Sequence, residues 1–194
     1  MTTILDFVRH GHPVNVDGYC IGQTDRPLSE QGRNTIESLA RRLDAVNLPC
    51  VSSDLLCASE SAARLTYAPV RIEPRLREMH FGEWEDRTWA EIEAQDPARI
   101  QSWMTNWVSE RVPGGECFTD VVTRVRGWLA SVPTDGSRQI VVAHAGAIRA
   151  AAVVLLDLPP ERAFGLQVDY AHVSTFSLSP HGATLRAWNS RGFQ

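Results

Sequence analysis

Two histidines that follow apolar segments are the residues of this chain best suited to chemistry. His10 comes after the segment at residues 4–8 and Arg9, and His144 comes directly after the segment at residues 139–143. Histidine offers a nitrogen that acts as nucleophile, base or metal ligand near neutral pH. Arg9 adds a rigid fork of donors that suits phosphate or carboxylate. The combination indicates an anionic substrate held against a reactive imidazole.

The two apolar segments have the pattern of buried β-strands. Residues 4–8 and 139–143 are rich in the β-branched, aliphatic and aromatic types that fill strands covered on both faces. An apolar helix pattern at residues 148–158 follows the second segment. Because ligands in an open α/β sheet bind beyond the carboxyl ends of the strands, we expect His10 and His144 to meet at one edge of the sheet.

The chain as a whole predicts an α/β fold, a three-layer α/β/α sandwich with a mostly parallel central sheet, in one domain over residues 1–194. Apolar residues at helical spacing predict a helix over residues 30–46 that packs on the sheet. A Trp-rich helical insertion is expected at about residues 82–112. Alternating patterns at residues 173–178 and 183–188 predict a terminal hairpin.

Composition excludes several classes of function. With 194 residues and a net charge of -4, the chain offers no global field that would attract nucleic acid or a membrane surface. The apolar run at residues 150–156 is too short to span a bilayer, and the sequence opens on no basic and apolar leader, so we expect a cytoplasmic protein. The cysteines lack metal-site spacing and are expected to be free thiols.

Five segments, in order along the chain, carry a resemblance to a known family. The sequence resembles the histidine phosphatase, or phosphoglycerate mutase-like, superfamily, and within it the small phosphatases of the α-ribazole phosphatase type. The matching segments are FVRHG at 7–11, GYCIGQTDRPLSEQG at 18–32, LREMHFGEWED at 76–86, PGGEC at 113–117 and VVAHAGAIRA at 141–150.

The resemblance implies a phosphomonoesterase that works through a phosphohistidine, with no metal and no cofactor. By resemblance, His10 and Glu78 are catalytic, as nucleophile and proton donor. Arg9 and His144 bind the phosphoryl group, and the loop that carries Gly22 and Gln23 contacts the substrate, a small phosphorylated metabolite. The implied substrate is α-ribazole 5'-phosphate. The oligomeric state, monomer or homodimer, stays open.

Cys57 departs from the family pattern, which has a phosphate-binding arginine at this position. Removal of one donor from a charge-stabilising site typically costs on the order of 10²- to 10³-fold in rate. The loss would leave Arg9 as the only matched arginine, since Arg64 lies two helical turns further on. One alternative is therefore a catalytically impaired protein that binds a phosphate ligand, and a less favoured one is a phosphoglycerate mutase-type phosphotransferase. Cys57 itself is either a passive replacement or, less favoured, a reactive thiol.

Two further side chains, His12 and Glu116, have roles that the motifs leave open. His12 is either a second catalytic imidazole or an exposed loop residue, and the His10–His12 pair is also the pattern of a metal hydrolase, although such a site needs further ligands. We expect Glu116 to be an acidic residue at the start of the helix that follows.

Overall fold

The computed structural model describes residues 1–42 and 47–192. Within them, a six-stranded sheet has the order β4-β3-β6-β1-β7-β8. Its strands are β1 (Thr3–Arg9), β3 (Cys50–Ser52), β4 (Val70–Ile72), β6 (Arg138–Ala143), β7 (Val173–Ser179) and β8 (Gly182–Ser190), and a separate small sheet pairs β2 (Tyr19–Cys20) with β5 (Arg87–Thr88).

Strand pairing sets the position of the two histidines. β1 runs parallel to β6, with Arg9 opposite Ala143, so that His10 and His144 are the next residues on neighbouring strands. β3 and β4 continue the parallel part of the sheet, and β7 and β8 add the antiparallel terminal hairpin. The mostly parallel sheet and the hairpin are as predicted.

Helices cover both faces of the sheet. They are α1 (Glu30–Ala40), α2 (Leu56–Leu65), α3 (Trp89–Gln95), α4 (Pro97–Asn106), α5 (Phe118–Leu129) and α6 (Ala145–Leu156). The apolar side chains of α5 and α6 form one core cluster with one face of β1 and β6, and those of α1 and α2 form a second cluster with the opposite face. This arrangement is the predicted three-layer sandwich. No helix in the described part of the chain has the length and apolar character needed to cross a lipid bilayer.

The first predicted helix is shorter in the structure than the pattern indicated. α1 ends at Ala40, and the Arg41 backbone N–H closes it on Glu37 and Leu39. The last part of the predicted helix, residues 43–46, lies outside the described residues.

Two glycines bring α1 close to the loop that follows β1. A Cβ on Gly11 would lie 2.6 Å from the Gly32 carbonyl oxygen, and one on Gly32 would lie 2.1 Å from the His12 carbonyl oxygen. The Gly11 N–H also donates to the Ser61 hydroxyl at 3.0 Å. Since no larger residue fits at either position, the backbone around His10 is held in place from two sides.

Residues 82–112 hold α3 and α4 with a short 3₁₀ turn (Gly82–Trp84) before them. As predicted, α4 begins after Asp96, whose side chain accepts the Arg99 N–H at 3.0 Å, with Pro97 in the first turn. The aromatic rings of this segment pack together: Trp84 and Trp103 centroids are 5.5 Å apart, and Phe81 and Trp103 centroids 5.8 Å apart. The segment therefore forms an aromatic layer next to the sheet edge that carries the histidines.

Candidate active site

His10 is buried, and one of its two nitrogens is fixed by the backbone. Nδ1 donates to the Gly11 carbonyl oxygen at 2.7 Å, because a carbonyl oxygen only accepts and the hydrogen must therefore be on Nδ1. Burial, helped by the nearby His144 and Arg9, holds the pKa of His10 well below its ordinary value of 6.5. The imidazole is thus neutral near neutral pH, and its Nε2 lone pair is left for another partner.

His144 lies against His10, as the sequence predicted. The two ring centroids are 4.7 Å apart, and Nε2 of His144 is 3.0 Å from the Ser53 hydroxyl. Burial, together with the nearby charges of Arg9 and Arg124, lowers the pKa of His144 to about 3. A second neutral imidazole, with its Nδ1 not engaged by Ser53, therefore stands beside the first.

Arg9 is held at the same end by contacts that direct its guanidinium group. Nη1 donates to the Val168 carbonyl oxygen at 2.6 Å, and the Tyr170 ring lies 3.6 Å from Cζ, a cation–π contact. Nε of Arg9 is buried and has no hydrogen-bond partner among the residues that the structure describes. A buried donor without a partner is costly unless a ligand supplies an acceptor, so this arrangement favours an anion at this position.

Glu78 lies at the amino end of α6, the helix that His144 begins. Its carboxyl oxygens accept the Gly146 N–H at 3.1 Å, and one of them accepts the Met79 N–H at 2.8 Å. A Cβ on Gly146 would be 2.1 Å from Oε1 of Glu78. Only glycine at position 146 therefore allows this carboxyl group to lie against the first turn of α6.

Arg124 fixes the loop that carries Glu78. Its guanidinium donates to the carbonyl oxygens of Arg75, Arg77 and Glu78 at 2.7–2.8 Å, and it pairs with the Glu116 carboxylate at 2.9 Å. Glu116 in turn accepts the His80 N–H at 2.9 Å. Glu116 lies directly before Cys117, the residue that caps α5, so it is at the start of that helix as expected, and it also connects Arg124 to the Glu78 loop.

Of the two predicted loop contacts, Gly22 lines the cavity and Gln23 supports it. Gly22 has φ of +53°, and a Cβ there would lie 2.2 Å from Oε1 of Glu85. The Gln23 side chain donates to the Glu78 carbonyl oxygen at 2.9 Å, and its N–H donates to Glu85 at 2.8 Å. Gln23 thus holds the backbone of Glu78 and is not among the residues that line the cavity.

These groups line a cavity of about 300 Å³. Its lining contains a polar set of side chains, called the polar end: Arg9, His10, His144, Cys57, Glu78 and Arg149. It also contains an aromatic set, called the aromatic end: Tyr19, Phe81, Trp89, Trp103, Trp107, Phe118 and Phe164. The two sets meet where Cζ of Arg149 lies 5.2 Å from the centroid of the Phe164 ring. A ligand with one anionic end and one apolar end would match both.

Sequence reasoning missed Arg149, Ser53 and Tyr170. Arg149 lines the cavity and donates from Nε to the Leu166 carbonyl oxygen at 2.9 Å. It lies in the second turn of the helix that follows His144, and Ser53 directly follows β3, so the pattern of strand ends could have pointed to both. Tyr170 comes from the irregular loop between the 3₁₀ turn Pro160–Gly165 and β7, where no sequence pattern marks a site.

Cys57 supplies no guanidinium to the cavity, but Arg149 and Arg26 line it in addition to the matched Arg9. Arg64 is not a substitute, as expected: Nη1 donates to the Glu60 carbonyl oxygen and Nε lies 3.9 Å from Glu37. Burial raises the pKa of the Cys57 thiol to about 12, which argues against the reactive-thiol alternative. All four cysteines are buried free thiols.

His12 does not join His10 in a metal site in the described part of the chain. Its ring packs on Tyr170 with centroids 5.0 Å apart, and its Nε2 lies 3.8 Å from Asp17. The cluster of potential metal ligands found within residues 1–42 and 47–192 contains His10 but not His12. The alternative of a metal hydrolase built on the His10–His12 pair is therefore unsupported.

Comparison with known proteins agrees with this geometry. The family model for the histidine phosphatase superfamily (branch 1) matches residues 5–191. The chain belongs to the histidine phosphatase superfamily. Among its relatives, the adenosylcobalamin/alpha-ribazole phosphatase of Escherichia coli (strain K12) is 30% identical over 194 residues, covering 96% of each chain.

Two further members of the superfamily show how wide the similarity is. The glucosyl-3-phosphoglycerate phosphatase of Mycobacterium tuberculosis is 37% identical over 172 residues, covering 80% of this chain and 76% of that protein. The crystal structure of the alpha-ribazole phosphatase from Shigella flexneri superposes with a TM-score of 0.90 at 31% identity, covering 98% of both chains. These histidine phosphatases share the fold and differ in the substrates that their names state.

Proposed function

We propose that this protein is a phosphomonoesterase that hydrolyses a small phosphate ester through a phosphohistidine at His10. The observation that carries the proposal is the pair of buried, neutral imidazoles with centroids 4.7 Å apart, placed beside an arginine whose buried Nε has no partner within residues 1–42 and 47–192. One imidazole presents a nucleophilic Nε2, and the other groups present donors to the same anion. This is the arrangement that phosphoryl transfer to a histidine requires.

Each step follows from groups already described. Nε2 of His10 attacks phosphorus, the N–P bond forms and the ester P–O bond breaks. Arg9 and His144 donate to the equatorial phosphoryl oxygens, and the Glu78 carboxyl group gives a proton to the leaving alkoxide. Water then attacks the phosphohistidine, Glu78 takes the proton back, and inorganic phosphate and an alcohol are released. These side chains supply all the charge stabilisation that the steps need.

The aromatic end of the cavity supports an aromatic leaving group. Phe164 and Trp107 centroids are 4.2 Å apart, and Trp89 stacks on Trp103 at 6.2 Å with an interplanar angle of 21°. Flat apolar rings stack well on such surfaces, whereas a sugar acid would leave its polar groups unpaired there. We therefore favour α-ribazole 5'-phosphate, which the names of the Escherichia coli and Shigella relatives state, over glucosyl-3-phosphoglycerate.

The impaired binding protein remains the second candidate, because Cys57 supplies no phosphate donor. Arg149 weakens this candidate. It lines the polar end of the cavity together with Arg9 and Glu78, so a second guanidinium is present there without an arginine at position 57. A catalytically competent site is the simpler interpretation.

The test is a set of steady-state measurements in the presence of a chelator. We expect kcat/KM for α-ribazole 5'-phosphate to exceed that for glucosyl-3-phosphoglycerate, and His10→Ala to lose on the order of 10⁴-fold or more in kcat, as nucleophile removal does in other enzymes. The matched control is His181→Gln, an exposed histidine in the β7–β8 turn, which should keep its activity. Turnover that survives the loss of His10 would reject the mechanism, and a preference for glucosyl-3-phosphoglycerate would reject the substrate.

A further inference from the structure

Cys57 forms a compact group with the two histidines of the site. One ring nitrogen of His10, one of His144 and the Cys57 sulfur lie within 4.8 Å of one another, and all three residues are buried. Tetrahedral zinc, with bonds of about 2.3 Å to sulfur and 2.0–2.1 Å to nitrogen, separates its ligand atoms by roughly 3.3–3.7 Å. Side-chain movements of about 1 Å would therefore bring the three atoms to coordination distance.

We propose that His10, Cys57 and His144 bind a thiophilic divalent cation such as Zn²⁺, and that this cation reversibly inhibits the enzyme. Two imidazoles and one thiolate are a donor set that selects such metals over Mg²⁺ or Ca²⁺. Three protein ligands leave the fourth tetrahedral position open to the cavity, for water or an anion. The family arginine expected at position 57 would offer no ligand, so the site belongs to chains that carry cysteine there.

Hydrogen bonds leave the required lone pairs available. Nδ1 of His10 is occupied by the Gly11 carbonyl oxygen at 2.7 Å, which leaves Nε2 for a metal. Nε2 of His144 is 3.0 Å from the Ser53 hydroxyl, and a hydroxyl either donates or accepts. When Ser53 accepts from Nε2–H, the Nδ1 lone pair of His144 is the one left for the metal. A hydrogen bond to the ring nitrogen that does not bind the metal orients a metal-binding histidine and fixes its tautomer.

Charge and protons balance when the cation binds. The Cys57 thiol loses its proton to solvent as the metal–sulfur bond forms, the two neutral imidazoles give lone pairs, and no electron is transferred. The thiolate offsets one charge of the divalent cation, and an anion in the open fourth position offsets the other. Since one proton is released per metal bound, the affinity for the metal rises with pH.

Inhibition follows because the metal occupies the Nε2 lone pair that attacks phosphorus. This part of the inference rests on the proposed function, whereas metal binding itself does not. Chelation frees the nitrogen, so that the same purified protein is active with chelator and inhibited by added Zn²⁺.

Co²⁺ is the first probe, because a thiolate ligand to Co²⁺ gives an intense charge-transfer band in the near ultraviolet. We expect one equivalent of Co²⁺ to produce this band in the wild type, and added Zn²⁺ to remove it. Zn²⁺ affinity is then measured by competition with a chromophoric chelator. Absence of the thiolate band in the wild-type protein would overturn the proposal.

The variants separate Cys57 from the other thiols. Cys57→Ser should abolish the band and weaken Zn²⁺ binding by at least roughly 10- to 100-fold. A loss of this size is typical when a residue that only hydrogen-bonds to a metal ligand is removed. Cys57→Ala is a second variant in case serine is not tolerated, with circular dichroism as the check on folding. Cys50→Ser is the matched control, since Cys50 is also buried but lies in β3, outside the cluster. An unchanged affinity in Cys57→Ser and Cys57→Ala, or an equal loss in Cys50→Ser, would contradict the site.

Activity measurements link the site to function. Zn²⁺ should inhibit phosphatase turnover in the wild type at concentrations at least about tenfold lower than in Cys57→Ser, each variant being compared with its own uninhibited rate. Metal binding without any phosphatase activity would leave the metal site standing and reject the proposed function. Full activity with Zn²⁺ bound to Cys57 would reject the inhibition.

Discussion

The two ends of the cavity are built in different ways. In the polar end, His10 and His144 directly follow parallel strands and Cys57 lies in the first turn of α2, while Glu78 comes from the loop after the 3₁₀ turn Pro74–Leu76. The aromatic end is built from β2, α3, α4, the start of α5 and the 3₁₀ turn Pro160–Gly165, none of which belongs to the six-stranded sheet. Under the proposed function, the difference teaches that the two histidines are placed by the sheet, whereas the choice of leaving group depends on segments that can change without altering the sheet.

This contrast predicts that the polar end controls the chemical step and that the aromatic end controls only which ester is hydrolysed. Variants at the two ends should therefore differ in the kinetic parameter that they change.

Glu78→Gln should give the largest effect among the variants that keep the nucleophile. Loss of a general acid costs roughly 10²- to 10⁴-fold, and we expect this loss in kcat for alkyl phosphates such as α-ribazole 5'-phosphate. The loss should be far smaller for 4-nitrophenyl phosphate, whose leaving group needs no proton. Glu83→Gln, an exposed glutamate in the same segment, is the control. Equal losses for both esters would show that Glu78 positions the substrate and does not protonate it.

The buried histidines should make folding stability sensitive to acid. The unfolded chain binds a proton at His144 near pH 6.5, whereas in the folded protein burial lowers the pKa of His144 to about 3. The contribution of neutral His144 to the free energy of unfolding is therefore complete above pH 6.5. It is lost as the pH falls, and the free energy of unfolding decreases by about 2 kcal/mol between pH 6.5 and 5.

Denaturant unfolding at the two pH values measures this change. Over the same pH interval, the free energy of unfolding of His144→Gln should fall by about 2 kcal/mol less than that of the wild type. The free energy of unfolding of His181→Gln should change with pH as in the wild type. An identical pH dependence in His144→Gln would mean that His144 is not held neutral in the folded protein.

Phe164→Ala tests the aromatic end. Phe164 is 56% exposed although it lines the cavity, so its removal should do little to folding. We expect KM for α-ribazole 5'-phosphate to rise about tenfold, corresponding to an aromatic contact of about 1.4 kcal/mol, with kcat unchanged. Small phosphate esters without a ring should be hydrolysed as before. The control is Met104→Ala, because Met104 is a residue of α4 that is 61% exposed. A fall in kcat for every ester in Phe164→Ala would contradict the division between the two ends.

Cys57→Arg should have the smallest effect. Since Arg149 already lines the polar end, we expect kcat/KM to change by less than about tenfold. A rise on the order of 10²-fold or more, the usual value of one charge-stabilising donor, would instead support the impaired-protein alternative. The same measurement on esters with and without an aromatic ring would show whether kcat/KM changes equally for both, as expected if the introduced arginine contacts only the phosphoryl group.

The parts of the molecule that follow sequence-local rules were predictable. Strand pattern placed His10 and His144 together, and Asp96–Pro97 marked the start of α4, because strand burial and helix capping leave local signals. Three features depended on tertiary contacts and were missed or misjudged. Glu116 pairs with Arg124, which lies eight residues further along the chain in α5. Tyr170 contacts Arg9 from an irregular loop, and the Gln23 side chain donates to the Glu78 backbone.

Capture of the phosphoenzyme tests the central claim most directly. Rapid mixing with substrate labelled in the phosphoryl group, followed by alkaline quench and peptide mass spectrometry, should find the label on the peptide that contains His10, bound through nitrogen and stable to base. The label should be absent in His10→Ala and present in His12→Ala. Label on another residue, or turnover by wild-type enzyme with no labelled protein at any quench time, would contradict the account.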